Sequence, residues 1–381
     1  MIKAQAVTSI AALALAALVL SGCSEAPAET GTGGTGETGG EISAAAQEAL
    51  DRAFTGVGSD LSDLEPTEVE DGLDFFVMSC GEQNPTCAAP AAAMLEAAEA
   101  AGWNAQLVDG KLNPEGFATA IRQAIAGGAD VLVPVGIGCG AAAAAFQEAK
   151  DAGVTIIGGG GVDDCDPKIW DSERLWLPDM PPFFYTFGGL MADYAYGKTD
   201  GDVKAVVINS TTNVWGPWIT ESFEGQLEKL GGGEVLEVVD ISDPETADNS
   251  YLQKVTSALL ANPDANTLIV PTDGYLVTGL AAAIEQAGFA DQLITIGAFG
   301  SDGAIDMIRE GQPGITATVA LATSWEAWGS IDTAIRIRNG QEAAYIGQSI
   351  QVIDADHNLP ASGGYEGSTD FRAKFLESWG K

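Results

Sequence analysis

From Leu73 onward the chain repeats one pattern: a short run apolar throughout, a turn, then a stretch of good helix formers. "LDFFVMSC" leads to "AAPAAAMLEAAEAAG", "NAQLVDG" to "PEGFATAIRQAIAGG", and "ADVLVPVG" to "GAAAAAFQEAKDAG", with "VTIIGGGG" closing the series. Each unit takes about thirty residues, the length of a βα crossover. Strands that are apolar on both faces need cover on both, which a parallel sheet between helical layers supplies. After an irregular stretch, Asp163 to Tyr185, the alternation restarts with "VKAVVINS" and "GPWITESFEGQLEKLGGG". It runs on through "GEVLEVVD", "NSYLQKVTSALLA", "NTLIVPTDG", "LVTGLAAAIEQAG" and "QLITIGAF". Pro217 stands near the start of the first of these helices and Gly231 beyond its end, as helix termini favour. The expected class is α/β: two doubly wound parallel-sheet lobes, with the irregular stretch as a crossover between them.

Ahead of the first strand the composition changes. Residues 1–22 hold one cation, Lys3, and an Ala/Leu/Val-rich run too brief to span a bilayer comfortably, with small residues before Cys23. That is the pattern of a cleaved export signal rather than of a retained membrane anchor. "LSGC" resembles the bacterial lipobox, which implies lipidation of Cys23. Acyl chains anchor because each buried methylene contributes about 0.8 kcal/mol. Residues 23–42 are rich in Gly, Thr and Glu, and read as a flexible tether. Residues 43–71 read as a short helix, capped by Ser43 and ended by Gly56, and a lead-in. About 310 residues remain, more than one core usually organises. No second apolar run reaches the length of a membrane span.

Export places the remaining cysteines, Cys80, Cys87, Cys139 and Cys165, where disulfides persist. Four cysteines allow three pairings, and spacing does not choose among them. There is no Cys-x-x-Cys pair, and the single histidine, His357, lies far downstream, so no metal and no cofactor are expected. The net charge of −37 repels phosphate backbones, which excludes nucleic acid as a partner and disfavours a polyanionic ligand, though not a neutral one.

Catalysis finds little support. One histidine leaves little for acid–base or nucleophilic chemistry. "GKT" at 197–199 lacks the earlier glycine of a phosphate loop, Ala192 standing in its place. "GGGG" at 158–161 fits a strand end, and Asp163 and Asp164 are adjacent rather than facing, unlike a glycosidase pair. No catalytic residue is expected.

Several segments together resemble a type I periplasmic binding protein of the ribose/galactose-binding group, the solute receptors of ABC importers. They are "QNP" after the first strand, "LVDGKLNPEGFATAIRQAIAGGADVLVPV", "GVTIIGGGG", "TDGYLVTGLAAAIEQAG", and the cadence of "ITIGAFGSDGAIDMIREGQPGITATVALATSWEAWGSIDTAIRIRNG". The resemblance runs from Gly72 to about Gln351. It implies two lobes joined by a three-strand hinge and closing on a small molecule. The first lobe would take residues 72–182 and 303–340, the second 183–302 and 341–381. In that topology the third and fourth strands are neighbours, which implies the pairs Cys80–Cys87 and Cys139–Cys165 on the cleft side of the first lobe.

Ligands of such sheets sit beyond the carboxyl ends of the strands. The implied site takes Gln83, Asn84, Gly138 and Asp163 from the first lobe, and Asn213, Trp215, Asp273, Tyr275, Phe299 and Asp302 from the second. Trp325 is a further stacking surface, Asp273 the expected polar anchor and Trp215 the expected aromatic platform. Family members commonly carry an arginine in the loop at 213–218 and a glutamine near 321–323; neither stands here. The implied function is a monomeric extracytoplasmic receptor, lipid-anchored to the outer face of the cell membrane, that presents a sugar or sugar-like solute to an ABC permease. A receptor for a less polar or aromatic solute, and a sensor-associated surface lipoprotein, are the alternatives.

Overall fold

The computed structural model describes residues 42–59, 61, 64–175, 183–212, 215–367 and 369–381. Residues 1–41, which hold the expected export signal, Cys23 and most of the expected tether, lie outside the described residues. The described chain opens with α1 (Ala44–Thr55) and β1 (Val57–Ser59). Ser43 caps α1, its Oγ accepting from Ala46 N at 3.1 Å, and Gly56 ends it at φ 69°.

The first lobe follows: β2 (Asp74–Ser79), α2 (Pro85–Ala101), β3 (Asn104–Asp109), α3 (Pro114–Ala126), β4 (Val131–Pro134), α4 (Ala143–Asp151) and β5 (Thr155–Ile156). Its strands form a four-stranded parallel sheet in the order β3-β2-β4-β5. The absence of alternation in β2 now has its cause. Phe75 and Val77 enter a core shared with α2, while Phe76 and Met78 enter the opposite core under α3 and α4. Each such side chain contributes about 1.5–3 kcal/mol on burial, so neither face can be left to water. Asn84 and Asn113 cap α2 and α3, accepting from Thr86 N at 3.0 Å and Gly116 N at 2.8 Å ahead of Pro85 and Pro114. These caps fix the β-to-α loops at the carboxyl ends of the strands.

The second lobe holds α5 (Phe183–Lys198), β6 (Lys204–Ser210), α6 (Trp215–Leu230), β7 (Glu234–Ile241), α7 (Asp243–Ala247), α8 (Ser250–Ala261) and β8 (Thr267–Ile269). It continues with α9 (Asp273–Tyr275), a π-helical segment Leu276–Leu280, α10 (Ala281–Gln286), β9 (Ile294–Phe299), α11 (Asp302–Arg309) and β10 (Ala317–Leu321). The last elements are α12 (Thr323–Arg338), β11 (Gln348–Asp354) and α13 (Phe371–Ser378). The second sheet has the order β1-β11-β10-β9-β8-β6-β7, parallel from β10 to β7 and antiparallel at β11. β6 repeats the logic of β2: Ala205 and Val207 face the core under α5 and α6, Val206 and Ile208 the core under α8.

The lobe limits differ from those expected at both ends. Residues 303–321 were expected in the first lobe, but β10 is buried along its whole length and pairs with β9 and β11 in the second sheet. Only α12 returns, laying Trp325, Trp328 and Ile331 on α2. Within 341–381, expected in the second lobe, α13 belongs to the first, because Phe371, Phe375 and Trp379 complete the core that α12 leaves open. The Trp328 and Trp379 rings stack there at 5.5 Å. The lead-in is divided too: α1 packs on α5 and β1 pairs with β11, while Leu61 and Leu73 enter the first-lobe core. In the first crossover, bridges join Ile157 to Ser172 and Leu175 to Tyr345, and residues 176–182 lie outside the described chain.

Candidate ligand-binding cleft

The carboxyl ends of the two sheets face a common cleft of about 1520 Å³. On the first-lobe side Gln83 and Asn84 precede α2, and Gly138 follows β4. Both expected disulfides stand at this wall. Cys80, just after β2, bonds Cys87 in the first turn of α2, and Cys139, after β4, bonds Cys165 beyond β5. The pairing of β4 with β5 brings the second pair together. Asn84 also marks where the lobes approach: a Cβ on Gly274 would stand 3.1 Å from Asn84 Oδ1.

The second-lobe wall is aromatic. Trp215, the first residue of α6, stacks on Phe184 with centroids 5.4 Å apart and planes 12° apart. Phe299, ending β9, meets each of them edge-on at 6.2 Å. Tyr275 lines the cleft nearby, its hydroxyl accepting from Thr246 Oγ1 at 3.2 Å, and burial raises its pKa. Asp302 opens α11, exposed and facing the loop at Gly364. Asn213 lies outside the described residues.

Three expected site residues are scaffold instead. The Asp163 carboxylate turns away from the cleft and accepts from Ile169 N, Trp170 N and Cys165 N at 2.8, 2.9 and 3.2 Å, closing its own loop. Its neighbour Asp164 lines the cleft and accepts from Gly140 N at 2.7 Å. Trp325 is buried between α12 and α13, donating Nε1–H to Ile346 O at 2.7 Å and stacking on Phe371. Asp273, the expected anchor, is fully buried beneath the cleft floor, where it accepts from Ser301 N at 2.8 Å and from Thr318 Oγ1 at 2.9 and 3.1 Å.

The floor holds groups that sequence reasoning missed. Arg174 of the crossover, Glu326 of α12 and Gln348 of β11 meet where the lobes join. Arg174 Nη2 lies 3.5 Å from Glu326 Oε2, both side chains buried, and Glu326 Oε1 accepts from Gln348 Nε2. Burial pulls the Arg174 pKa down and Glu326 opposes that pull. Arg174 and Gln351 both line the cleft, so an arginine and a glutamine reach it from segments other than those where the family pattern carries them. No periodicity in "DSERLW" could have marked Arg174.

Burial without a facing cation pushes the Asp273 carboxyl from its ordinary 3.8 up to about 7. An acid that binds its proton more tightly when folded contributes stability at acid pH and loses it as the pH rises through the folded value. The loss is expected to reach roughly 2–3 kcal/mol between about pH 5 and about pH 8. Urea unfolding of wild type and Asp273→Asn at both pH values measures it as a difference, and an equal difference at the two would contradict it.

Among known proteins, the model of the periplasmic binding protein domain matches residues 75–342. No curated protein matches the chain in sequence. Solved structures similar to it include an ABC transporter periplasmic solute binding protein from Actinobacillus succinogenes 130z with bound D-allose. That protein is 18% identical, with a TM-score of 0.62, and the match covers 75% of this chain and 98% of that one. A solute binding protein from Bacillus halodurans C-125 with bound myo-inositol is 16% identical at TM-score 0.60, with coverages of 75% and 96%. A glucose-galactose binding protein from Geobacillus stearothermophilus is 16% identical at TM-score 0.62, with coverages of 76% and 100%. The family is one of extracytoplasmic solute-binding proteins rather than of enzymes. With its family model matched over most of its length and two doubly wound lobes around one cleft, this chain belongs to the periplasmic binding protein family, in its type I form.

Proposed function

We propose that this chain is a lipid-anchored receptor that captures a sugar or sugar-like solute by closing its two lobes and presents it to an ABC permease. The observation that carries the reading is the pairing of an aromatic wall, Trp215, Phe184 and Phe299, with polar loops at Gln83 and Asn84 across one cleft. A sugar ring has an apolar face that suits a π surface and hydroxyls that need donors and acceptors. The solutes bound by the D-allose and myo-inositol proteins of the same fold are neutral and hydroxylated. A net charge of −37 is compatible with such a ligand. Binding shifts the population from open to closed, and the closed form is the one that docks.

A thermal-shift screen over sugars, polyols, amino acids and aromatic acids tests the reading, followed by calorimetry on the best compound. Trp215→Ala is expected to weaken that compound roughly tenfold or more, about 1.4 kcal/mol or above. The breadth of the aromatic wall favours a second reading, an aromatic solute, which stabilisation by aromatic acids alone would select. A panel in which nothing stabilises the protein would reject both. Uptake of the labelled compound, lost on deleting this chain, separates import from sensing.

Lipidation of Cys23 rests on "LSGC". Cys23→Ala is expected to move the protein from the membrane fraction to the medium or periplasm. Unchanged mass and unchanged membrane association in the variant would rule the anchor out.

A further inference from the structure

We propose that Asp273 is a positioning residue for the cleft: it does not meet the solute, and instead holds the turn Phe299–Gly300–Ser301 so that the Phe299 ring stays in the aromatic wall. The inference rests on the solute-binding reading for its purpose, though not for its test. The chain neighbours Thr272, Gly274 and Tyr275 line the cleft, while the Asp273 side chain runs under its floor. There it accepts from Ser301 N at 2.8 Å and Thr318 Oγ1 at 2.9 Å. Thr318 Oγ1 in turn accepts from Gly300 N at 3.2 Å.

Phe299 needs such a hold. Its φ of 85° lies in the left-handed region, which a residue with a bulky side chain adopts only when its surroundings impose it. Gly300 follows at φ 65°, where a Cβ would stand 2.4 Å from Ala320 Cβ. Gly297 leaves the space for the carboxylate, since a Cβ there would stand 2.0 Å from Asp273 Oδ1. The product of this arrangement is the orientation of one ring, which meets Phe187 at 5.1 Å and Trp215 and Phe184 at 6.2 Å. The groups facing the carboxylate are Gly297 of β9, Thr318 of β10, Leu276 of the π-helical segment and the turn itself, and none of them titrates.

The test uses the full folded chain with no solute added, so its failure and that of the solute-binding reading are separate results. Tryptophans are replaced by fluorotryptophan, the Trp215 resonance is assigned with Trp215→Phe, and fluorine NMR spectra are followed from about pH 5.5 to about pH 8.5. The Trp215 resonance is expected to shift with a midpoint near 7, where the Asp273 carboxyl ionises. The first-lobe tryptophans Trp103, Trp325, Trp328 and Trp379 are expected to stay in place. Asp273→Asn is expected to abolish the shift. Thr318→Val, which keeps the shape but deletes a donor to the ionised form, is expected to raise the midpoint. A flat Trp215 resonance in wild type, a titration surviving in Asp273→Asn, or equal shifts in the first-lobe tryptophans overturns the proposal. Should Asp273→Asn fail to fold, Thr318→Val decides alone, and an unmoved or lowered midpoint overturns it.

Discussion

Arg336→Ala is expected to lower the unfolding free energy by about 3–5 kcal/mol, the cost of leaving a buried carboxylate without its cation. Arg336 Nε and Nη2 donate to the Asp332 carboxylate at 2.7 and 3.2 Å one turn earlier in α12, and both side chains are buried. Nη2 also donates to Glu65 O at 2.9 Å and to Ser378 Oγ at 3.0 Å, while Trp379 Nε1–H donates to Asp332 Oδ1 at 2.9 Å. One guanidinium therefore joins α12, α13 and the lead-in segment around a single negative charge. Truncating it strands Asp332 and unties all of them together. Equilibrium urea denaturation reads the loss. Replacing the pair by apolar side chains, Asp332→Leu with Arg336→Met, is expected to cost less than Arg336→Ala alone, because no charge is then left buried. A single variant within about 1 kcal/mol of wild type, or a double variant worse than the single, would contradict the account.

Loss of Cys139–Cys165 is expected to be the next largest effect. The bond closes a 26-residue loop, and the chain entropy it removes from the unfolded state corresponds to about 3.5 kcal/mol. Cys80–Cys87 closes only 7 residues, which corresponds to about 2.4 kcal/mol. The order of the two is the discriminating result. Cys139→Ser with Cys165→Ser should destabilise more than Cys80→Ser with Cys87→Ser in matched denaturant titrations. The reverse order would mean that native contacts of the cleft loops, not chain entropy, set the contribution.

The fold was legible because its signals are local. Phe75 to Met78, or Ala205 to Ile208, are apolar in succession, and a succession of that kind is stable only between two helical layers. Asn84-Pro85 and Asn113-Pro114 write the helix starts into two adjacent residues each. Strand ends then follow, and with them the neighbourhood of the cleft, which is how Gln83, Asn84, Gly138, Trp215, Tyr275, Phe299 and Asp302 were reached. The disulfide pairs were not legible in this way: spacing left three pairings open, and only the topology that the family resemblance implies, with β4 beside β5, selected the pairs observed.

What the sequence determined by itself was therefore the repeated unit, the class of fold and the end of each sheet that faces the cleft. The tertiary structure alone decided which residue of a strand end turns into the cleft. Asp163 and Asp164 are adjacent, as are Thr272 and Asp273, and in each pair one side chain lines the cleft while the other is buried. The choice depends on how the chain folds back: on the Ile169 and Trp170 amides of its own loop for Asp163, and on the space at Gly297 with the far Thr318 hydroxyl for Asp273. The structure likewise decided which lobe β10, α12 and α13 join, because a strand edge or an unfilled core exists only after the earlier elements have packed. Arg174 reached the cleft floor for the same reason, through a crossover whose path no periodicity encodes, toward Glu326 far along the chain.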